Sequence, residues 1–260
     1  MVQAHGRKLT SHRALSLSCY GLLIDIVQGL EEAFAPLFAR LPESHHYRNN
    51  PLTTLYAFDN VLGRVQSENP TSSSTPVFQA GYLAFAAHLG IDNVTDLETH
   101  DFVTMAGTWS AFPDTLSSLE RLGRHFKLVV LTNADVVGFR ETWQSALNGF
   151  PFDATLTADE VGSYKPGQES FSALSDKMLD EYQIVRDDII HVGQNIGRDL
   201  IPAKEFGLST ILVDRYPSPG TNAGEQDKAN GVYDWKFDSL QDLADHVERE
   251  LSETRHGTHD

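Results

Sequence analysis

The chain has 260 residues, 40% of them hydrophobic, and carries a formal net charge of -16 at pH 7. A chain of this length can bury a sizeable core, which fits one α/β domain with an insertion or two modest domains. The negative charge repels phosphate backbones and the basic residues are scattered, so nucleic acid is not expected as a partner.

The cysteine content and the N-terminal sequence bear on the cellular compartment of the protein. The single cysteine, Cys19, cannot form an intrachain disulfide, and residues 1–13 contain no apolar stretch like that of a signal peptide. We therefore expect a reducing, cytoplasmic location. No run approaches the roughly 18 to 20 apolar residues that span a bilayer, so no membrane span is expected.

The predicted elements begin with a short strand. From Ala14 the sequence runs Ala-Leu-Ser-Leu-Ser-Cys-Tyr-Gly, an apolar stretch that stops at glycine and predicts a strand followed by a tight loop. Apolar residues then recur at three- and four-residue spacings, which predicts helices at 29–41, 52–67 and 77–89. The Ser-, Thr- and Pro-rich stretch 69–76 is predicted to be a loop.

Helix and strand alternate in the second part of the chain. The helices are predicted at 116–124, 136–147, 168–179, 199–206 and 240–251, and the strands at 127–131, 154–156, 188–192 and 210–213. This alternation predicts a doubly wound, mostly parallel, Rossmann-like α/β sheet. Such sheets bind ligands outside the carboxyl ends of their strands. The segments expected to meet there follow Leu17, Leu131, Gly162 and Val192.

The domain organisation follows from these patterns. Residues 14–26 and 107–253 are predicted to form the α/β core, and residues 27–106 a helical cap that is inserted after the first strand and covers the crevice. The termini, 1–13 and 254–260, are expected to be loose.

Four polar motifs stand near the predicted strand ends. They are Ser18-Cys19-Tyr20-Gly21-Leu22-Leu23-Ile24-Asp25, Leu131-Thr132-Asn133, Ser163-Tyr164-Lys165-Pro166 and the stretch from His191-Val192-Gly193-Gln194-Asn195 to Asp199. In this order they resemble the motifs of the haloacid dehalogenase-like (HAD) superfamily, especially its fungal type II 2-haloacid dehalogenases. The resemblance runs from about residue 15 to residue 215 and includes the Trp-Ser-Ala-Phe-Pro-Asp-Thr stretch at 109–115.

The resemblance implies roles for these motifs. In the family an aspartate of the first loop attacks the substrate carbon, a threonine or serine and a lysine hold the carboxylates, and a last aspartate orients the site. By position these roles fall on Ser18, Thr132, Lys165 and Asp199. Ser18 departs from the family, because an unassisted hydroxyl is a poor nucleophile. Leu22 also stands where the family usually has threonine.

A metal is not expected at this site. Phosphatases of the superfamily carry a second aspartate two residues after the nucleophile, where this chain has Tyr20. A hard cation such as Mg²⁺ would keep only Asp199 and neutral oxygens. The sequence therefore predicts neither phosphoryl transfer nor any cofactor.

The remaining crevice residues have a binding and a structural interpretation each. Lys165 either donates to a ligand oxygen or only pairs with Asp199. Thr132 and Asn133 either bind ligand or cap the following helix, and Arg198 either reaches a ligand carbonyl or is solvated. The candidate catalytic donors are Thr132, Asn133, Lys165 and Arg198. The candidate substrate-binding residues are Ser18, Tyr20, Leu22, Arg48, Trp109, Asn195 and Asp199.

Donors under an apolar lid, without nucleophile or metal, suit a reaction that needs neither. Our hypothesis is a non-hydrolytic biosynthetic enzyme that catalyses a pericyclic [4+2] cyclisation of an apolar, carbonyl-bearing terpenoid precursor. Holding the substrate in a reactive conformer can remove several kcal/mol of barrier, and an oxyanion-type donor can add about 3 kcal/mol.

Other function classes stay open. One alternative is a dehalogenase-like hydrolase with a non-standard nucleophile, and another is a catalytically inactive protein that binds a ligand or partner. A serine hydrolase is disfavoured, since the residues around Ser18 do not form a Gly-x-Ser-x-Gly elbow. The family resemblance also allows a homodimer, although no interface is legible in the sequence.

Overall fold

The protein is described by a computed structural model that covers residues 7–70, 72–216 and 231–256. The strands in these ranges are β1 Ala14–Leu17, β2 Lys127–Leu131, β3 Ala154–Leu156, β4 Ile189–Gly193, β5 Ser209–Val213 and β6 Trp235–Phe237. They form one sheet in the order β3-β2-β1-β4-β5-β6, with all neighbouring strands parallel. This confirms the predicted doubly wound α/β architecture.

The middle of the sheet is buried on both faces. All residues of β1 and β4 are buried, as expected for parallel strands that are covered by helices on both sides. Leu17 at the end of β1 pairs in register with Val130 of β2 and Val192 of β4. The three strands therefore end at the same level, and the loops that follow them meet.

Helices form the insertion and flank the sheet. The insertion between β1 and β2 begins with α1 Ile26–Ala33, α2 Ala35–Phe38, α3 Pro51–Glu68, α4 Ser74–His88 and α5 Asp96–Ala106. The remaining helices are α6 Thr115–Leu122, α7 Val136–Ser145, α8 Ala158–Val161, α9 Gln168–Tyr182, α10 Ile201–Phe206 and α11 Leu240–His256. None of the helices in the described ranges is long and apolar enough to cross a membrane.

The inserted helices pack around an aromatic cluster. Phe34 lies at its centre, with ring centroids 4.7 Å from Phe85, 5.1 Å from Phe58 and 5.3 Å from Phe102. All four rings are buried. Aromatic side chains bury large apolar areas, so this cluster gives the insertion a core of its own.

Some elements differ from the sequence-based predictions. The helix predicted at 29–41 is two helices and begins earlier, because the Asp25 carboxylate accepts hydrogen bonds from the N–H groups of Val27 and Gln28. The helix predicted at 199–206 is preceded by one π-helical turn, Ile196–Leu200. Strand β6 is not predicted, since three residues, of which Lys236 is exposed, give too short a pattern.

The termini also differ from prediction within the described ranges. Leu9 is fully buried, and the N–H of Thr10 donates to Glu250 Oε2 at 2.7 Å. The Lys8 ammonium donates to the hydroxyl of Thr254 at 3.0 Å. Residues 8–10 are thus held against helix α11 rather than loose, while 1–6 and 257–260 lie outside the described residues.

Candidate functional site

A cavity of about 150 Å³ lies between the ends of the strands and the inserted helices. From the core it is lined by Ser18, Tyr20, Trp109, Thr132, Asn133, Ala134, Gly138, Lys165 and Arg198. The insertion contributes a wall that is mainly apolar, with Leu55, Phe58, Asp59, Leu62, Val77, Phe78 and Val103 among its residues. The predicted convergence of the strand ends under a helical lid is therefore present.

Lys165 forms the charged floor of this cavity. The residue is only 2% exposed, and its ammonium donates to Asp199 Oδ1 at 2.7 Å and to Ser18 Oγ at 3.1 Å. An ammonium has three N–H donors. Because Lys165 also lines the cavity, its third N–H is available to a ligand.

Asn133 fixes the backbone of Lys165. Its side-chain amide donates to the Lys165 carbonyl at 2.9 Å, and its oxygen accepts from the Lys165 N–H at 2.7 Å. Thr132 Oγ1 accepts from the N–H of Ala134 at 3.2 Å, which leaves its own proton for a ligand. Neither residue caps α7, since the carboxylate of Asp135 has that role. Asn133 is thus a positioning residue, and Thr132 a candidate donor.

Asp199 is the buried counterion of Lys165. A Cβ at Gly193 would lie 2.5 Å from the Asp199 Cβ, so this close approach requires glycine at the end of β4. Burial by itself would raise the pKa of Asp199, but the Lys165 ammonium and the His191 imidazole hold it well below its usual range. Burial lowers the pKa of His191, whose Nδ1 lies 3.1 Å from Ser16 Oγ, so this ring is a neutral core histidine.

Arg198 is paired rather than solvated. Its Nη2 lies 2.6 Å from Oδ1 of Asp59, a residue of α3 in the insertion. Asn195 Nδ2 donates to Asp59 Oδ2 at 3.1 Å, and Asn195 Oδ1 accepts from the Arg198 N–H at 2.9 Å. Asn195 therefore hydrogen-bonds to both members of the pair and does not itself line the cavity. Sequence reasoning missed Asp59, because a single acid on an amphipathic helix carries no motif.

Tyr20 and Trp109 form one side of the cavity. The Tyr20 hydroxyl is 2.8 Å from Thr142 Oγ1, and burial raises the pKa of Tyr20, so the phenol stays neutral. The Trp109 indole lies directly over Gly29, where a Cβ would be 2.3 Å from a ring carbon. Both residues therefore lie in the cavity wall.

Two predicted substrate-binding residues lie elsewhere. Leu22 is fully buried in the core, and its carbonyl accepts from Arg215 Nε at 3.1 Å. Arg48 lies in a 3₁₀ turn before α3, donates to the carbonyl of Leu41 at 2.8 Å and lines a separate pocket with Glu31 and Phe38. The placement of Arg48 beside the other candidate residues is corrected, because its side chain is bound to the Leu41 carbonyl and does not line the cavity that contains Lys165.

The side chains at the nucleophile position suit neither general-base catalysis nor a metal. In the described part of the chain the hydrogen-bond partner of Ser18 Oγ is the Lys165 ammonium, and no histidine or carboxylate reaches it. Burial raises the pKa of the adjacent Cys19 to about 12, so it is a thiol. The oxygens of Ser18 and Tyr20 are neutral and Asp199 is already paired, which does not fit a hard cation such as Mg²⁺.

Comparisons with known proteins agree with this fold. No family model matches the chain. Among curated proteins, the glyceraldehyde 3-phosphate phosphatase of Methanocaldococcus jannaschii is 29% identical over 143 residues, which is 52% of this chain and 56% of that protein. The chain thus aligns with little more than half the length of this relative.

Solved structures match over nearly the whole chain. The L-2-haloacid dehalogenase of Xanthobacter autotrophicus with chloropropionic acid covalently bound has a TM-score of 0.71 and 16% identity, covering 91% of this chain and 98% of that one. The HAD-hydrolase YfnB of Bacillus subtilis bound to magnesium has a TM-score of 0.68 and 14% identity, covering 91% and 99%. These likenesses show that the chain has the HAD fold with a helical insertion.

Proposed function

We propose that the chain is a non-hydrolytic enzyme that catalyses an intramolecular [4+2], Diels–Alder type, cyclisation of an apolar, carbonyl-bearing precursor. The observation that carries the proposal is the buried Lys165 ammonium, which has the Ser18 hydroxyl rather than a carboxylate beside it at the nucleophile position. Its free N–H is suited to a neutral carbonyl oxygen on which negative charge develops in the transition state.

The proposed reaction uses two properties of the cavity. Lys165 and Thr132 donate hydrogen bonds to the carbonyl of the dienophile. A single well-placed donor can lower the activation free energy by about 3 kcal/mol. The apolar wall with Phe58 and Phe78 holds diene and dienophile together. The substrate then loses its conformational freedom on binding rather than in the transition state, which lowers the activation free energy. No covalent bond to the protein forms and no group leaves, so substrate and product have the same mass.

Cavity size limits how the substrate enters. An engineered cavity of about 150 Å³ in another protein holds benzene, and the present cavity has the same volume. The reacting ring therefore fits, whereas a complete terpenoid requires α4 to move away from the core. The contact that would open is that of Thr75 with Asp135.

The proposed substrate class draws on the sequence resemblance. The chain resembles the norbornene-forming Diels–Alderase of a fungal terpenoid pathway, a resemblance that includes the absent aspartate, while no motif encodes a cycloaddition. A substrate of this type carries a cyclopentadiene and an aldehyde-activated alkene within one apolar skeleton.

Hydrolysis is the second candidate function. The relatives described above are a phosphatase, a dehalogenase and a HAD-hydrolase by name, so similarity alone favours a hydrolase. In this chain Ser18 would have to be the nucleophile. The ammonium beside it is paired with Asp199 and donates a hydrogen bond instead of accepting the serine proton, which is the argument against this candidate.

The test presents the three substrate classes side by side. The purified protein, with and without EDTA, is incubated with a 2-haloacid, a phosphate ester and a cyclopentadiene-aldehyde terpenoid, and products are followed by chromatography and mass spectrometry. We expect mass-neutral conversion of the terpenoid above its spontaneous rate, insensitive to EDTA.

Variants separate the two candidates. Ser18→Ala should retain most of the cyclisation, because the serine accepts a hydrogen bond but forms no bond to substrate, and Ser67→Ala on the exposed face of α3 is the control. Halide or phosphate release that Ser18→Ala abolishes would overturn the proposal in favour of hydrolysis. Absence of turnover with all three compounds would leave a ligand-binding protein.

A further inference from the structure

The cavity contains two cations, and each has its own carboxylate. Lys165 pairs with Asp199 at 2.7 Å at the floor, and Arg198 pairs with Asp59 at 2.6 Å at the wall. Tyr20, the other ionisable group of the described lining, is held neutral by burial. The charges of the lining residues and of the Asp199 counterion therefore sum to zero.

Asp59 is held in place by the core rather than by its own helix. One of its oxygens is engaged by the Arg198 guanidinium and the other by the Asn195 amide. The side chains of Arg198 and Asp59 are 21% and 30% exposed, so both remain partly accessible from the cavity side. An anionic ligand that approached Arg198 would meet the Asp59 carboxylate already bound there.

A further carboxylate adds to the negative potential near this wall. Asp135 is 4% exposed and accepts hydrogen bonds from the N–H and hydroxyl of Thr75 and from the N–H of Gly138. Thr75 and Gly138 line the cavity. These partners are neutral, so the charge of Asp135 is stabilised without being cancelled, which disfavours a second anion nearby.

We infer that Asp59 determines the charge of the ligand: by occupying Arg198 it leaves the cavity without an unpaired cation, so the site accepts uncharged carbonyl compounds and rejects carboxylates and phosphates. This deepens the proposed function and rests on it for the choice of a carbonyl ligand, while charge selection itself is measured by binding alone. Removing the charge of Asp59 should free Arg198 and convert the site into one that binds a carboxylate.

The test uses two probes of nearly identical shape. Acetophenone and benzoate share a six-membered ring of the size that the cavity holds, and differ in a neutral methyl ketone against a carboxylate. Dissociation constants are measured by amide NMR titration for the wild type, Asp59→Asn and the double variant Asp59→Asn/Arg198→Gln. Asp245→Asn is the matched control, because it makes the same change of net charge and breaks an aspartate–arginine pair, that with Arg121, far from the cavity.

The expected results separate charge selection from general effects. The wild type binds acetophenone at least tenfold more tightly than benzoate, and Asp59→Asn tightens benzoate binding about tenfold, or about 1.4 kcal/mol, with acetophenone unchanged within about twofold. Asp245→Asn changes neither constant, and the double variant loses the gain for benzoate.

Opposite results overturn the inference. These are tighter binding of benzoate than of acetophenone by the wild type, an unchanged benzoate constant in Asp59→Asn, or binding of neither probe by any variant. Charge selection without cyclisation would contradict only the proposed reaction, whereas cyclisation without charge selection would contradict only the role of Asp59.

Discussion

Replacing Lys165 by methionine removes the cation from an ion pair that is buried on both sides. The Lys165 and Asp199 side chains are 3% and 4% exposed, and removing one partner of such a pair costs about 3–5 kcal/mol of the free energy of unfolding, because the other charge stays buried without compensation. Lys177→Met is the control. Its pair with Glu181 has the same 2.7 Å distance, but the side chains are 31% and 48% exposed, so its loss should cost about 0–0.5 kcal/mol.

The stability difference between Lys165→Met and wild type is expected to depend on pH, and the pKa of Asp199 fixes the direction. In the wild type the folded-state pKa of Asp199 lies below its unfolded value, so the carboxylate stabilises the fold above the unfolded pKa, and this contribution is lost as pH falls through the folded pKa. In Lys165→Met, burial acts without the ammonium and raises the pKa of Asp199. The deficit of the variant is then largest at high pH and shrinks as pH falls through the raised pKa. Protonation of His191, 3.7 Å from Asp199, acts in the same direction.

The assay is urea denaturation at pH 8 and pH 6, both above the isoelectric point of about 5.0. We expect Lys165→Met to be destabilised by about 3–5 kcal/mol at pH 8 and by less at pH 6, relative to wild type at the same pH. A cost as small as that of Lys177→Met, or a deficit that grows towards pH 6, would refute the assignment of Lys165 and Asp199 as a charged buried pair.

Two further predictions concern the cavity wall and the loop after β1. Gly29→Ala places a Cβ 2.3 Å from the Trp109 indole, so we expect urea denaturation to show a loss of about 1–3 kcal/mol in the free energy of unfolding. In the control Gly63→Ala the nearest neighbour of the new Cβ is 3.8 Å away, so this variant should be neutral or stabilised by up to about 1 kcal/mol. Equal effects of the two variants would contradict the packing of Trp109 on Gly29. Since burial raises the pKa of Cys19 to about 12, the native protein should not react with Ellman's reagent at pH 8, whereas the protein in urea should titrate one thiol per chain; native labelling at the rate of a free thiol would contradict this burial.

The sequence predicts the sheet and the position of the site for a physical reason. Strands β1, β2 and β4 are buried on both faces and therefore read as short apolar runs, and each ends where polar residues begin. Parallel strands bring the segments that follow β1, β2 and β4 to one edge, which places Ser18, Thr132 and Asp199 near one another.

Residues of the insertion could not be placed in this way. Asp59 and Arg48 both lie on polar positions of helical segments, and the sequence pattern gives no reason to prefer one over the other. The fold brings Asp59 to Arg198 at the cavity, whereas Arg48 bonds to the carbonyl of Leu41 away from it. Packing of α3 against the core decides between them, and that contact is not local in sequence.

The charge balance links the lost nucleophile to the proposed ligand. An aspartate at position 18 would put a second carboxylate beside the Lys165 ammonium, which is 3.1 Å from Ser18 Oγ and already paired with Asp199. With serine at this position, one cation faces one anion, and the two hydrogen bonds of the Lys165 ammonium leave one N–H for the proposed carbonyl ligand. Asp59 gives Arg198 the same neutrality at the opposite wall. The proposed reaction without a protein nucleophile and the proposed preference for an uncharged carbonyl ligand therefore rest on one arrangement, which favours reactions in which the protein polarises a substrate without bonding to it.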